Sequence, residues 1–318
     1  MRVKLLVTGG AGYIGAVVVQ RLLQDGHCVE VLDNFSTGHE DVELPGAVWH
    51  RGDISDAGEV LDSSFNGVVH LAAKSLVGES VEHPERYWHG NIVASLRLID
   101  AMREVGVPRM VFSSTAAVYG EPQVDKITED VPPTPTNPYG ASKLAIDQML
   151  TAEAKAHGLA AVSLRYFNVA GASGALSERH DPETHLIPNL LRVAMGERPE
   201  AKIFGTDYPT RDGTAIRDYI HVVDLADAHV RALHAATGGE HAVYNLGTGI
   251  GTSVREIIDA VRDVTGCEVP TSEAPRRAGD PAVLVASGDL AAAELGWHPQ
   301  RNARQMVKDA WNALQQFS

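Results

Sequence analysis

Disulfides, membrane spans and nucleic-acid grips are what this sequence is short of. Only Cys28 and Cys267 occur in 318 residues, too few for a disulfide framework. Both stand in apolar strand or loop context, which predicts reduced thiols. Basic residues are outnumbered, 27 Lys and Arg against 41 Asp and Glu, giving a net charge of −14. With no basic block to offset it, that balance argues against a nucleic-acid partner. No apolar run approaches the ~20 residues that span a bilayer, so no membrane is expected as a partner. The apolar start is short, broken by glycine and already committed to a strand, so no signal peptide is expected, and the expected location is the cytoplasm. Internal repeats and low-complexity stretches are absent. What remains is ordinary globular material, 44% apolar and 21% charged, long enough for one large or two modest domains.

Thr8-Gly9-Gly10-Ala11-Gly12-Tyr13-Ile14-Gly15 organises the chain. It follows the apolar run Val3 to Val7, a buried parallel strand by pattern, and opens an amphipathic helix from Tyr13 to Gln24. A dinucleotide needs this arrangement. The first glycine permits the tight turn and the second lets backbone approach a pyrophosphate. The third packs helix against strand, and the helix N-terminus faces the phosphate charge. A second strand, Cys28 to Leu32, ends in Asp33, roughly the 20 residues on at which an acidic group meets a ribose. Asn34, Phe35, Ser36 and Thr37 follow, with no Arg or Lys for a 2′-phosphate, so NAD is favoured over NADP.

Strands and helices alternate through the first half, which predicts an α/β fold with a doubly wound parallel sheet of Rossmann type. Further strands are expected at Ala47 to His50, Val68 to Leu71, Arg109 to Phe112 and Ala160 to Arg165. Asp53, after the third strand, is placed either to meet the adenine side of a cofactor or to cap a helix, and the two roles are compatible. Leu71, Ala72, Ala73 and Lys74 end the fourth strand, where small residues leave room for a ligand. Pro84 to Val105 reads as one long helix carrying Asn91, and Glu121 to Thr136 as a surface loop. Asn137-Pro138 starts another helix. In the second half Ala172 to Thr184 reads as loop and Leu186 to Met195 as helix. Arg217 to Val222 reads as a strand, and Asp224 as the cap of a helix through Leu233. Val243 to Asn245 is a short strand, Ser253 to Glu256 a capping box opening a helix to Val264, and Ala303 to Gln316 a last helix. The expected division is a dinucleotide-binding domain over 1–170, which also receives segments from about 215–247. A smaller α/β region over 171–318, folded back over the sheet, is expected to bind the substrate.

Tyr139 and Lys143 stand four apart on one helix, hence on one face. A tyrosine is a poor base at neutral pH, but an ammonium nearby favours the phenolate, which then exchanges a proton with a substrate hydroxyl. Thr115, after the fifth strand, is placed to hold the same oxygen. The alternative for Tyr-x-x-x-Lys alone is a solvated helix face.

The sequence resembles the extended short-chain dehydrogenases/reductases, and within them the UDP-glucose 4-epimerases, over essentially its whole length. The stretches that carry this are T-G-G-A-G-Y-I-G, Asp33-Asn34, Val77 to Ser80, S-S-T-A-A-V-Y-G, N-P-Y-G-A-S-K, R-Y-F-N, Ile203 to His229, and R-R-A-G-D from Arg276. The resemblance implies that NAD, held throughout turnover, exchanges a hydride with C4 of the sugar. Inversion would pass through a 4-keto sugar that turns over in the pocket. It implies Tyr139, Lys143 and Thr115 as the catalytic groups. It implies cofactor contacts from Gly9, Gly12, Tyr13, Ile14, Gly15, Asp33, Asn34, Ser36, Thr37, Gly38, Asp53, Ile54, Leu71 to Lys74, Asn91, Ser113 and Phe167. It implies UDP-sugar contacts from Asn168, His185, Leu186, Lys202, Ile203, Phe204, Arg217, Arg277, Asp280 and Leu284. Each anchor has a plainer alternative: Phe204 as core, Arg217 as partner of Asp218, Arg277 as a surface charge, Leu284 as core in a short strand.

Several departures from the family pattern stand out. The usual Ser is Thr115, a commonly seen Asn is His185, and Lys74 sits one position early. No metal site is expected, since His185 has no partner His at ligand spacing. Related dehydratases and decarboxylases carry acidic residues where this chain has Ala116 and Ala117, which counts against both activities. A non-catalytic NAD-binding regulator is a further alternative, disfavoured because Tyr139 and Lys143 are both present. An epimerase acting mainly on another nucleotide sugar, UDP-N-acetylglucosamine or a UDP-uronate or pentose, stays open. The resemblance also implies a homodimer formed by the helices Pro84 to Val105 and Pro138 to Ala156, which carry Ile92, Leu96, Ile99, Leu144 and Met149.

Overall fold

Seven parallel strands form the central sheet of the computed structural model, which describes residues 2–42, 44–277 and 280–316. They are β1 (Lys4–Thr8), β2 (Cys28–Asp33), β3 (Ala47–Arg51), β4 (Gly67–His70), β5 (Arg109–Thr115), β6 (Ala160–Tyr166) and β7 (His241–Leu246). Their spatial order is β7-β6-β5-β4-β1-β2-β3. The order reverses between β1 and β4, where a doubly wound sheet opens a crevice at its C-terminal edge. The strands are short, β-branched and mostly buried, as all-parallel sheets require.

Two apolar clusters cover the sheet's faces. One gathers Leu5, Val7, Val29 and Val31 with Val18 and Leu22 of the helix Tyr13–Gln24 and with Leu225 and Leu233 of the helix Val222–Ala235. The other packs Leu6, Val68, Met110 and Phe112 against Leu98 and Met102 of the helix Ala94–Val105 and Ile146 and Leu150 of the helix Pro138–His157. A third cluster belongs to the second half. It joins Ile187, Leu190 and Leu191 of the helix Leu186–Ala194 with Ile257, Ile258 and Val261 of the helix Val254–Thr265. Met306 and Val307 of the helix Ala303–Leu314 complete it. The chain returns to the main sheet through β7, beside β6.

Four sequence expectations change. The fifth strand continues past Phe112 to Thr115, pairing through Thr115 with Tyr166. The long helix is interrupted by a π-helical turn, Trp88–Val93, that contains Asn91. The stretch 172–184, expected as loop, holds a two-residue hairpin pairing of Ala172–Ser173 with Leu176–Ser177. Asp224 does not cap its helix. His221 does, its Nδ1 accepting from Val223 N at 3.1 Å, while Asp224 is buried and bonded to Gln300 N, Arg301 N and the Arg301 guanidinium. The Ser253–Glu256 capping box is present as expected.

Candidate active site

The glycine-rich turn has the constraints its spacing implies. Gly9 has φ +77°, and a Cβ there would lie 2.6 Å from Ala72 N. A Cβ on Gly15 would lie 2.0 Å from Gly9 O. At Gly12 it would meet nothing within 3.4 Å, so the glycine there is not required by the protein's own packing and leaves backbone open to a ligand. Tyr13 turns away from the turn and donates to Gly171 O at 2.7 Å, and Ile14 packs on the sheet core. Asp33 is buried and accepts from Ala11 N at 2.9 Å and Phe35 N at 2.8 Å, which ties β2 to the turn. Asn34 Oδ1 takes Ser36 N and its amide donates to Asp53 at 3.2 Å. Thr37 and Gly38 lie beside the turn, where a Gly38 Cβ would strike Ala11.

Asp53 takes the capping role considered for it and faces an open cleft. It caps the 3₁₀ turn Ile54–Glu59 through Ser55 N, with Ile54 buried, and lines an open cleft with Lys74, Arg86 and His89. Burial works against its charge, but the hydrogen bonds from Ser55 and Asn34 prevail and hold its pKa low. Leu71 N and Ala72 N both donate to Thr8 O, fixing the start of the segment that ends in Ala73 and Lys74. Asn91 is fully buried with its polar atoms committed: Oδ1 accepts from Lys74 N at 2.8 Å, and Nδ2 donates to Lys74 O and Ser142 Oγ at 3.0 Å each. It therefore positions the Lys74 segment.

Thr115, Tyr139 and Lys143, the residues expected to transfer the proton, meet at the end of β5. The Thr115 hydroxyl, which accepts from Ala117 N at 3.1 Å, stands beside the Tyr139 phenol. Burial raises the Tyr139 pKa, and the Thr115 hydroxyl opposes it. Lys143 is buried and donates to Ser113 O at 2.8 Å, its ammonium 4.7 Å from the Phe112 ring centroid. Burial lowers its pKa to about 7, against the pull of the Asp147 carboxylate. Ser113 is held from behind by His229, Oγ to Nε2 at 2.8 Å, while His229 Nδ1 meets Leu225 O at 2.9 Å. The Nδ1–H therefore points at the carbonyl and Nε2 accepts from the serine, with burial keeping the ring neutral at a pKa of about 4.

Sequence reasoning missed the supports of this group: besides His229, these are Tyr87 and the pair of Asp147 with Arg165. Tyr87 packs edge-on to Tyr139 at 6.4 Å between centroids and is anchored through its hydroxyl to Leu76 O and Glu79. Asp147, one turn beyond Lys143, forms a buried ion pair with Arg165 at 2.8 Å, and its Oδ1 has no partner. The helical spacing Lys143 to Asp147 was a readable signal for the second of these.

Four predicted substrate residues meet at a second place. Arg217 donates to Asp280 at 3.0 Å and to Pro281 O at 2.8 Å. Arg277 approaches the same carboxylate at 3.8 Å and lies 4.5 Å over the Phe204 ring. Arg217 is thus not the partner of Asp218, which is buried and accepts from Thr248, Gly249 and Ala286 instead. Leu284 pairs in register with Arg217 and, like Phe167, packs against the cluster of Val118, Tyr119 and Ile127. Ala278 and Gly279 of this motif lie outside the described residues. Asn168 donates to Asp218 O at 3.1 Å. Lys202 is exposed, whereas the Ile203 side chain is in the core, so only its backbone can serve a ligand. His185 precedes Leu186 at the start of its helix and bonds Glu183 at 2.8 Å. His180 stands beside it, ring centroids 5.6 Å apart. A partner histidine is therefore present five residues earlier, contrary to the reading of His185 as isolated.

Comparisons with known proteins agree with this geometry. Residues 5–247 match the family described as the NAD dependent epimerase/dehydratase family. A curated relative, the UDP-glucose 4-epimerase of Corynebacterium glutamicum, is 56% identical over 311 residues, 97% of this chain and 94% of the relative. Among solved structures, the UDP-glucose 4-epimerase of Brucella ovis in complex with NAD is 42% identical, with a TM-score of 0.93 and coverage of 97% of both chains. That of Bifidobacterium longum in complex with NAD+ and UDP is 36% identical, with a TM-score of 0.92 and coverage of 98% of both chains.

Proposed function

Because this chain belongs to the NAD dependent epimerase/dehydratase family, we propose that Tyr139 exchanges the C4 hydroxyl proton of a UDP-hexose while Thr115 holds the same oxygen. The reaction is the interconversion of UDP-glucose and UDP-galactose, and the enzyme is an isomerase. The placement of the Thr115 hydroxyl beside Tyr139, with Lys143 one helical turn away, carries this reading. The glycine-rich turn fits NAD: bare backbone at Gly12, a helix starting at Tyr13, and a buried carboxylate at Asp33 ending the next strand. Bound NAD supplies the acceptor of the C4 hydride and the donor that returns it to the opposite face of the 4-keto sugar. Lys143 favours the phenolate electrostatically. Asn91 and His229 hold the backbone and serine around it in place.

Binding is uneven by design of the residues. Arg217 and Arg277 take a diphosphate by charge-assisted bonds, displacing Asp280, and Phe204 flanks the uracil. The hexose is held by fewer groups and is free to turn over. Residues 1–170 with the returning segment 215–247 bind the dinucleotide, and residues 171–318 mainly the UDP-sugar. The third apolar cluster supports that division. The enzyme pairs with a second copy through the helices of 84–105 and 138–156; of the residues expected on that face Leu96 is exposed, whereas Ile99 is buried in the core. It works in the cytoplasm, consistent with two free thiols. Light scattering that gives a monomer at working concentration overturns the pairing.

The test uses the purified protein. Denaturation should release NAD, and release of NADP counts against the cofactor assignment. Tyr139→Phe should lose ~10²–10⁴-fold in turnover while still retaining NAD. Near wild-type interconversion by that variant refutes the role of Tyr139.

A further inference from the structure

Glu178 and His180, to which the reaction assigns no part, form a cluster with His185 outside the proton-transfer group. They lie between the short strand Leu176–Ser177 and the helix Leu186–Ala194. One imidazole nitrogen from each ring and one Glu178 oxygen lie within 4.8 Å of one another. The Glu178 carboxylate spans both rings: Oε1 contacts His180 Nδ1, and Oε2 is 3.8 Å from His185 Nδ1. A second carboxylate stands behind. Glu183, its side chain fully buried, accepts from His185 N at 2.7 Å and meets His185 Nδ1 at 2.8 Å. Its other oxygen is buried with no partner.

We propose that Glu178, His180 and His185 bind a divalent cation of the zinc class, with Glu183 as the outer carboxylate that orients His185. Two imidazoles and one carboxylate are the donor set of a borderline metal with an open fourth position. Magnesium and calcium take oxygen ligands. The spacing His180-x₄-His185 lies within that of zinc-ligating histidine pairs. The Tyr13 phenol, at the edge of this cluster, is raised first by burial and then by Glu178 and Glu183.

The place suggests a clasp. Gly12 and Tyr13 of the glycine-rich turn line the same cavity, about 20 Å³, as Glu178 and His180. The segment is already tied to the turn and its helix by the Tyr13 bond to Gly171 and by Ser173 to Gln20 at 2.6 Å. A cation would fix the stretch that carries His185 against the dinucleotide side.

The experiment uses untagged, NAD-containing enzyme, stripped with a chelator and titrated with CoCl₂ and ZnCl₂. One equivalent of Co²⁺ per chain should give the visible absorption of a low-coordinate site. Zn²⁺ should displace it, and Mg²⁺ or Ca²⁺ should not. Zn²⁺ should raise the thermal midpoint. His180→Asn and the isosteric Glu178→Gln should each lose the absorption, the thermal shift and on the order of 10–100-fold in affinity or more, while the circular dichroism and retained NAD stay unchanged. If one of them fails to fold, the other decides. Absence of a saturable single site, or equal Co²⁺ binding by wild type and a folded variant, overturns the proposal.

Discussion

Two charged clusters serve this enzyme under opposite solvent conditions. Asp147 and Arg165 behind Lys143 have side chains 4% and 7% exposed. Around Asp280, by contrast, the Arg277 side chain is 61% exposed and that of Asp280 is 30% exposed. The sealed pair cannot trade its partners for water or ligand, so it acts by keeping geometry and charge fixed around Lys143. In the open cluster Arg277 is held loosely, 3.8 Å from the carboxylate that the proposed diphosphate would replace, while Pro281 O also ties Arg217. On that proposal the same residue types position in one place and bind in the other, and burial decides which.

Breaking the sealed pair should have the largest effect. Asp147→Asn leaves Arg165 as a buried cation with no counter-ion, a change that costs ~3–5 kcal/mol. A large drop in the unfolding midpoint is expected, with the remaining folded enzyme impaired at Lys143. A midpoint within a degree of wild type would show the pair to be dispensable.

That pair also marks where sequence reading stops. The glycine-rich turn, the strand ending at Asp33, the helix with Tyr139 and Lys143 and the Ser253 capping box were legible because each is written in neighbouring residues. Asp147 meeting Arg165 and His229 meeting Ser113 depend on where distant segments land, whereas His180, five residues before His185, was within reach of a spacing argument. Strand β5 runs on to Thr115 because β6 offers a partner through Tyr166. The π turn around Asn91 accompanies bonds to Lys74 and Ser142, neither a helical neighbour. Asp224 looked like a cap by residue type, but His221 takes that position, and Arg301, far along the chain, claims the carboxylate.

Acid should reach the sealed region next. His70 and His229 are both buried, and burial lowers their pKa values to about 3 and about 4. Above pH 6.5 folded and unfolded rings are both neutral. As pH falls below 6.5 the unfolded rings gain protons that the folded ones refuse until about 3–4, so stability is lost through that window. At pH 5 the loss is about 2 kcal/mol for each histidine. Thermal midpoints measured from pH 7 to pH 5 should fall, and His229→Gln should flatten part of the slope. An unchanged slope in that variant would remove His229 from the explanation.

The open cluster should respond the other way round. Arg277→Gln removes an exposed ion pair worth ~0–1 kcal/mol to folding, so the unfolding midpoint should hardly move. A charged hydrogen bond to the diphosphate, by contrast, is worth ~1.5–3 kcal/mol. KM for UDP-galactose should rise accordingly, with kcat changed less. Equal KM values for wild type and variant would place the diphosphate elsewhere.

The smallest effect is expected where shape alone discriminates. Leu284 pairs with Arg217 in register and, like Phe167, packs against the cluster of Val118, Tyr119 and Ile127, so it joins the anchoring strand to the apolar wall next to Tyr119. It is half-buried. In the resemblance that position faces the sugar, and a Tyr there goes with glucose and galactose alone, a small residue with N-acetylated sugars as well. Leucine lies between these in size and offers no hydroxyl, so it rejects an acetamido group by shape only, at ~1–3 kcal/mol per methylene-sized misfit. Good kcat/KM on UDP-glucose and UDP-galactose is expected, with weaker but measurable activity on UDP-N-acetylglucosamine. Leu284→Tyr should suppress the N-acetylated activity and leave the plain sugars nearly unchanged. If the variant lowers both in proportion, Leu284 belongs to the core formed with Val118 and Phe167, and sugar size is set by another residue.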